Sequence, residues 1–160
     1  MNDMKIKKNN SNSLFRIPLK GKLKRNHPLS SLTWFKVGGK AEIFYEPYDT
    51  NDLISLIKGI KKNIPILIIG AGSNLLIRDG GISGIVIKLG KKFSSFEIEN
   101  ENFVRVGAGC NCIKLARRLS NYGMGGLEFY SGIPGTIGGA IKMNSGAYSS
   151  ETADKLFEVT

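Results

Sequence analysis

The residues best suited to chemistry lie in one short stretch, residues 65–77, which reads PILIIGAGSNLLI. Glycines such as Gly70 and Gly72 adopt positive φ angles and let an anion approach the main chain, where consecutive N–H groups form a concave set of donors. Ser73 and Asn74 add side-chain donors at the same place. The pattern predicts a buried strand that leads into a phosphate-binding loop. A tight turn between two core strands is the alternative, since a Gly-x-Gly pair is common in both.

A second glycine-rich stretch, residues 125–140, holds six glycines and one proline. Glycine weakens both helices and strands, so this composition was not selected for stability alone. The stretch predicts main chain that lies close to a flat or anionic group. It is not a Walker loop, because no Gly-Lys-Ser/Thr follows. A packed loop of small residues under a helix crossing is the alternative. Residues 143–148 add one more small, polar turn.

The cysteine and histidine content excludes several kinds of site. Cys110 and Cys112 are too few and too close together for a disulfide framework or a four-ligand metal site. His27 is the only histidine, which argues against a zinc site or a Ser-His-Asp triad. We therefore predict no metal and a reducing compartment. Cys112 is interpreted as a small core residue rather than a thiol beside a cofactor.

The net charge of +10 suits an anionic partner: a nucleic acid, a membrane surface or a phosphate-bearing small molecule. The lysines are scattered, however, as a compositionally biased genome would produce without selection for binding. No run reaches the roughly 20 apolar residues of a membrane span, and residues 1–13 lack the apolar centre of a signal peptide. The sequence therefore predicts a cytoplasmic protein.

The first half of the chain predicts a strand, a helix and a second strand. Residues 1–13 are predicted to be a disordered basic arm, and residues 14–31 a short helix or packed leader. Residues 32–41 are interpreted as an extended segment that bends at a double glycine into a strand at 42–45. Asp49 or Thr50 caps the helix, and the next strand, at 66–69, is predicted to pair in parallel. The inward helix positions are Leu53, Ile54, Ile57 and Ile60.

The second half predicts a strand at 85–89, a hairpin at 96–98 and 103–106, and a helix capped by Asn111 and ended by Gly123. In that helix, Ile113, Leu115, Ala116 and Leu119 face inward, and Arg117 and Arg118 face outward. Residues 155–160 alternate like the beginning of a strand. A Rossmann dinucleotide site is excluded, because Leu75 stands where a third glycine is needed and the following connection is short.

Four motifs, taken together, resemble one enzyme family. They are Thr33-Trp34-Phe35-Lys36-Val37-Gly38-Gly39-Lys40-Ala41, Gly70-Ala71-Gly72-Ser73-Asn74-Leu75-Leu76, Gly132-Ile133-Pro134-Gly135-Thr136-Ile137-Gly138-Gly139-Ala140 and Met143-Asn144-Ser145-Gly146-Ala147-Tyr148. In this order and spacing, they resemble the UDP-N-acetylenolpyruvoylglucosamine reductases, flavoenzymes of bacterial cell-wall precursor synthesis. The resemblance covers roughly residues 29–160.

The resemblance implies an α+β fold: a two-lobed FAD-binding domain of the vanillyl-alcohol-oxidase (PCMH) type, with a small parallel α/β lobe and a mixed-sheet lobe. Residues 14–92 would form the first lobe and residues 93–160 an incomplete second lobe, with the substrate-binding domain absent. The residues that would bind FAD are Gly70, Ala71, Gly72, Ser73, Asn74, Leu75, Gly107, Ala108, Gly109, Gly132, Ile133, Pro134, Gly135, Thr136, Gly138, Gly139, Ala140, Gly146 and Ala147.

The same resemblance implies a reaction in which NADPH reduces FAD, and the flavin passes hydride to the enolpyruvyl ether of a UDP-sugar. In the family, a serine, an arginine and a glutamate assist the reduction of the enolpyruvyl group. These three residues belong to later motifs that this sequence lacks. Arg105, Ser131 and Glu128 do not replace them, because their surroundings do not match. We therefore expect a fragment that binds FAD without turnover, and assign no catalytic residue.

Two other functions stay open at this point. One is another FAD-dependent oxidoreductase of the same fold, acting on an alcohol or hydroxy acid, although the turn at 144–148 speaks against it. The other is a non-catalytic basic module that binds nucleic acid, which predicts clustered basic and aromatic residues. The dispersed basic residues favour no nucleic-acid partner and no membrane partner. The sequence does not indicate an oligomeric state.

Overall fold

A computed structural model describes residues 17–160, so the predicted basic arm and the first three residues of the predicted helix or leader, 14–16, lie outside the described residues. The fold is α+β. The chain forms two compact units, which are described separately. Of the described residues, the first contains 17–68 together with 76–88, and the second contains 69–75 and 89–160.

A four-stranded sheet forms the first unit's framework. Its strands are β1 (Lys22–Pro28), β2 (Lys40–Glu46), β3 (Ile66–Ile69) and β4 (Ile82–Lys88), in the order β1-β2-β4-β3. β1 pairs with β2 antiparallel, and β2 pairs with β4 parallel. The prediction of a helix or leader up to residue 31 is therefore wrong over β1. Parallel pairing does occur, but β2 takes β4 as its direct partner, and β4 lies between β2 and β3.

The two central strands supply the apolar core of this unit. Continuous buried runs at 43–45 in β2 and 84–87 in β4 are typical of strands covered on both faces. β3, by contrast, lies at the edge of the sheet, where Ile66 is 39% and Ile68 59% exposed. The prediction of a buried strand before the glycine loop therefore holds only for Ile69.

Helix α1 (Thr50–Gly59) follows β2 and begins as predicted, with Asp49 as its N-cap. Its inward face differs from the prediction, because Ile54 and Ile57 are 42% and 46% exposed. The buried positions are Leu56 and Asp52. The Asp52 carboxylate accepts hydrogen bonds from the Tyr45 hydroxyl and two main-chain N–H groups. A pattern based on hydrophobicity misses this face, because an acidic residue occupies its centre.

The cap of α1 gives a first testable prediction. The Asp49 carboxylate accepts a hydrogen bond from the Asp52 N–H at 2.9 Å. Replacing Asp49 by alanine leaves that donor to water, and we expect a loss of about 1 kcal/mol in the free energy of unfolding. Asp49→Asn keeps a side-chain oxygen that can cap the helix, so it should lose only a small part of that free energy. Urea denaturation followed by circular dichroism measures both, and equal losses would contradict the role of the cap.

The second unit contains the predicted hairpin, two α-helices and a small second hairpin. Strands β5 (Phe96–Ile98) and β6 (Val104–Val106) pair antiparallel, and helix α2 (Cys112–Asn121) begins at the predicted cap, Asn111. Helix α3 (Ile137–Met143) follows, and β7 (Gly146–Ala147) pairs with β8 (Ser150–Glu151). The core residues are Cys112, Leu115, Ala116, Leu119, Phe129, Tyr130, Ile137 and Ala140.

The remaining predictions for this unit have mixed outcomes. Arg117 and Arg118 are exposed as predicted, and the Arg118 guanidinium lies 4.0 Å from the centre of the Phe96 ring. The expected strand at 155–160 is wrong, since Lys155 ends a 3-10 helix, Thr152–Lys155, and residues 156–160 have no regular secondary structure.

Candidate functional site

The phosphate loop, residues 70–75, belongs to the second unit. Gly72 has the predicted positive φ, +71°. Gly70 does not have a positive φ. It is a glycine for another reason: the Thr136 side chain packs directly on its Cα, and a Cβ there would overlap the Thr136 hydroxyl oxygen. Among residues 17–160, the main-chain N–H groups of 71–74 have no protein acceptor. These four successive main-chain donors therefore have no partner within the described residues; Gly72 itself is buried, whereas Ala71, Ser73 and Asn74 are at least partly exposed to an incoming anion.

The second bend, residues 107–109, is held against the segment before β5. The Gly107 N–H donates to the Ser95 carbonyl at 2.9 Å, and the Gly109 N–H to the Phe93 carbonyl at 2.8 Å. A Cβ on Gly107 would overlap the Phe93 carbonyl oxygen and lie 2.7 Å from the carbonyl carbon. These two glycines therefore serve main-chain packing, and the exposed Ala108 is the residue that faces outward.

The third bend, residues 132–140, is only partly a loop. Gly138, Gly139 and Ala140 lie in helix α3, although glycine weakens a helix. The reason is contact with the second bend: a Cβ on Gly138 would lie 3.0 Å from the Ala108 Cβ. Ala140 is buried in the core.

The first N–H groups of α3 are occupied within the protein. Ile137 donates to the Cys110 carbonyl and Gly138 to the Ala108 carbonyl, each at 2.8 Å. Gly139 donates to the Thr136 hydroxyl at 3.3 Å. Sequence analysis missed this role of Thr136, although a threonine just before a helix is a recognisable cap signal. The donors left for a ligand therefore lie in the phosphate loop rather than at this helix end.

Direct contacts bring the three bends together. Thr136 packs against Gly70, Gly135 approaches the Ser73 hydroxyl, with a Cβ position 3.8 Å away, and Gly138 packs on Ala108. Strand β7, which holds Gly146 and Ala147, contacts the 3-10 helix Glu128–Gly132 next to the third bend. The predicted cofactor residues thus form one continuous region of the second unit.

The charges of this region suit an anion. None of the three bends contains an acidic residue. Nearby, the Glu128 carboxylate accepts from the Gly126 N–H, at 2.9 and 2.8 Å to its two oxygens, and this lowers its pKa. Arg105 bonds to Glu99 at 2.6 Å. Among residues 17–160, no group of three His, Cys, Asp or Glu side chains is placed to hold a metal ion.

The two thiols give a second testable prediction. Cys112 is fully buried, as its core assignment requires, and burial raises its pKa to about 11. Burial also raises the pKa of the half-buried Cys110. Since the thiolate is the reactive form, we expect Cys112 to resist iodoacetamide at pH 8 in the folded chain and to react in urea. Both cysteines lie in one tryptic peptide, residues 106–114, so tandem mass spectrometry of that peptide locates the label; labelling of folded Cys112 at the rate of a free thiol would contradict the prediction.

A comparison with known families identifies the class of this protein. A family profile described as an FAD binding domain matches residues 41–160. This range includes all three bends and β7. The chain therefore belongs to the FAD binding domain family.

The individual relatives specify which flavoproteins it is similar to. UDP-N-acetylenolpyruvoylglucosamine reductases of Phenylobacterium zucineum and Rickettsia canadensis are 46% and 48% identical over 144 and 141 residues, or 89% and 88% of this chain. The solved UDP-N-acetylenolpyruvylglucosamine reductase of Thermus caldophilus superposes with a TM-score of 0.67 at 32% identity, covering 85% of this chain and 46% of that one. The chain is thus a homologue of these reductases.

The matches cover only part of each relative. The chain spans about half the length of the curated reductases, 48% of each of the two named above.

Within residues 17–160, no helix has the length and apolar character needed to cross a lipid bilayer.

Proposed function

We propose that this chain binds FAD in the second unit, with the diphosphate held by the phosphate loop. The observation that carries the proposal is the set of four main-chain donors at 71–74, beside bends that contain no acidic residue. A diphosphate presents several anionic oxygens at once, and successive N–H groups match that arrangement. The hydroxyl of Ser73 and the exposed amide of Asn74 complete the donor set.

The other bends have supporting roles in this proposal. Ala108 and residues 133–136 line the ribityl chain and ring system, and Gly146 and Ala147 close the site. Gly70 and Gly138 act indirectly, because their missing side chains allow the three bends to pack against one another. Gly107 and Gly109 likewise allow the second bend to pack on the segment before β5, and Gly139 lies against its own cap residue, Thr136. Thr136 caps α3 and positions the phosphate loop through its packing on Gly70.

We further propose that the whole protein is a UDP-N-acetylmuramate dehydrogenase, which reduces the enolpyruvyl ether of a UDP-sugar with NADPH as hydride donor. FAD, when bound, carries the hydride between the two substrates. The 160-residue chain contributes cofactor binding, and we expect it to have no turnover by itself. Similarity to named reductases over most of this chain supports the proposal.

A direct test is to purify the chain and titrate it with FAD, following the visible spectrum and the heat of binding. We expect a yellow one-to-one complex. Ser73→Ala removes one donor to a charged group and should raise the dissociation constant about tenfold. Ser120→Ala, at an exposed serine of α2 outside the three bends, is the matched control and should leave it unchanged.

A colourless, well-folded chain that does not bind FAD would refute the proposal. Strongly salt-dependent binding of DNA or RNA would instead favour the basic-module alternative. Turnover of an alcohol or hydroxy acid by the full-length protein, without turnover of the enolpyruvyl substrate, would favour the other oxidoreductase alternative.

A further inference from the structure

The turn between β7 and β8 holds an aromatic residue in an unfavourable backbone conformation. Ala147 pairs with Ser150, which leaves a two-residue turn of Tyr148 and Ser149. Their φ angles are +54° and +61°. Two-residue turns of this kind favour asparagine and glycine, and a larger residue there costs about 1–2 kcal/mol. Tyrosine at this position is therefore not explained by the stability of the turn.

The side chain of Tyr148 reaches the third bend. A Cβ built on Gly132 would lie 3.2 Å from Tyr148 Cε2 and 3.4 Å from its hydroxyl oxygen. The side chain is otherwise open, since the residue is 80% exposed. It adds little to the core, so a purely structural role does not account for it either.

The distance from the Tyr148 ring to the phosphate loop is comparable to the distance between the flavin ring and the diphosphate in FAD. Gly132, under the ring, is three residues from Gly135, which approaches Ser73 of the phosphate loop. Three residues of chain span at most about 10 Å. In FAD, the ribityl chain separates the diphosphate from the flavin ring by a comparable length. A diphosphate at 71–74 thus leaves the flavin end of the molecule within reach of Tyr148.

We propose that Tyr148 is a positioning residue for the flavin half of FAD, with its phenol ring packed against the flavin ring system. This inference rests on the proposed FAD binding. Displaced stacking of aromatic rings is favourable, and in the complex it would compensate for the conformational free energy that the positive φ of Tyr148 costs. Tyr148 acts on the flavin half alone, whereas the phosphate loop acts on the diphosphate shared by FAD and ADP.

The test compares FAD with ADP, which shares the adenosine diphosphate half but has no flavin. Tyr148→Asn removes the ring and supplies a residue that tolerates positive φ. We expect its dissociation constant for FAD to rise about tenfold, its affinity for ADP to stay within about twofold, and its melting temperature without ligand not to fall. Tyr148→Phe keeps the ring and should retain FAD affinity. Ser149→Asn relieves the same turn without removing the ring and should leave both affinities unchanged.

Flavin fluorescence provides a second readout. A phenol in contact with the flavin quenches its emission, so FAD bound to Tyr148→Asn should be brighter than FAD bound to the unsubstituted chain. Equal FAD affinity and equal emission in the two proteins would overturn the inference while leaving FAD binding intact. Equal loss of FAD and ADP affinity would also overturn it, because a role in the fold alone predicts that result. If the unsubstituted chain does not bind FAD, the proposed function is refuted, and the inference about Tyr148 is refuted with it.

Discussion

Gly107→Ala is expected to lower the free energy of unfolding by about 3 kcal/mol, because the added methyl group would overlap the Phe93 carbonyl. The obstacle is main chain, which cannot rotate away as a side chain can. Moving it would disturb the hydrogen bonds that Gly107 and Gly109 donate to Ser95 and Phe93. Urea denaturation followed by circular dichroism measures the loss.

A neighbouring glycine provides the control. A Cβ on Gly135 would meet its nearest neighbour, the Ser73 hydroxyl oxygen, at 3.8 Å, an ordinary contact. Gly135→Ala should therefore change the free energy of unfolding by less than about 0.5 kcal/mol. If the two variants were equally stable, the second bend would not be fixed by main-chain packing, and our assignment of its glycines would be incorrect.

Asp52→Ala is expected to have the largest effect in the first unit, a loss of about 4 kcal/mol. The Asp52 side chain is 3% exposed and accepts from the Lys20 N–H and the Tyr48 N–H, each at 2.8 Å, and from the Tyr45 hydroxyl. Each donor left unsatisfied in the interior costs about 1–3 kcal/mol. The carboxylate joins the segment before β1, strand β2 and the start of α1, so its loss affects all three.

The same cluster makes stability depend on pH. Burial favours the neutral form of Asp52, but the hydrogen bonds from Tyr45, Lys20 and Tyr48 outweigh it and hold the pKa below its usual 3.8. A carboxyl whose pKa is lower in the folded state stabilises the fold above the unfolded pKa. That contribution should be lost as the pH falls below about 3.8 toward the folded value.

Asp52→Asn isolates this dependence, because the amide does not titrate. The difference in free energy of unfolding between the unsubstituted chain and Asp52→Asn should be constant from about pH 5 to about pH 9 and shrink below pH 3.8. Burial and the Asp52 carboxylate raise the pKa of Tyr45. The contribution of Tyr45 to the free energy of unfolding is therefore present below pH 10 and lost at higher pH. A difference that does not change on acidification would contradict the assignment.

Local signals predicted the parts of the fold that depend on neighbours in sequence. Asn111 caps α2 and Asp49 caps α1 because a short polar side chain before an amphipathic segment has one favourable use. The hairpin of β5 and β6 follows from alternation around Asn100, whose side chain accepts from the N–H groups of residues 102 and 103. These contacts span only a few residues, so the sequence alone specifies them.

Contacts distant in sequence explain the errors. β1 contains Lys22, Lys24 and Arg25 and has no strand signature of its own, yet it pairs with β2 along most of its length. Gly138 is a poor helix residue, but its packing on Ala108 favours it over better helix formers. The glycine motifs indicated where the candidate site lies, but not which of its glycines provide donors and which allow packing.

The hydrogen bonds that occupy the start of α3 also affect how fast a ligand can be captured. Gly138 is already bonded to Ala108 of the second bend and Ile137 to Cys110, the residue that follows it, and Thr136 already packs on the phosphate loop. The surface that we propose to bind FAD is therefore pre-organised, and little conformational entropy would be lost when the ligand binds. We expect a single bimolecular association phase whose rate rises linearly with ligand concentration, as for a rigid docking partner.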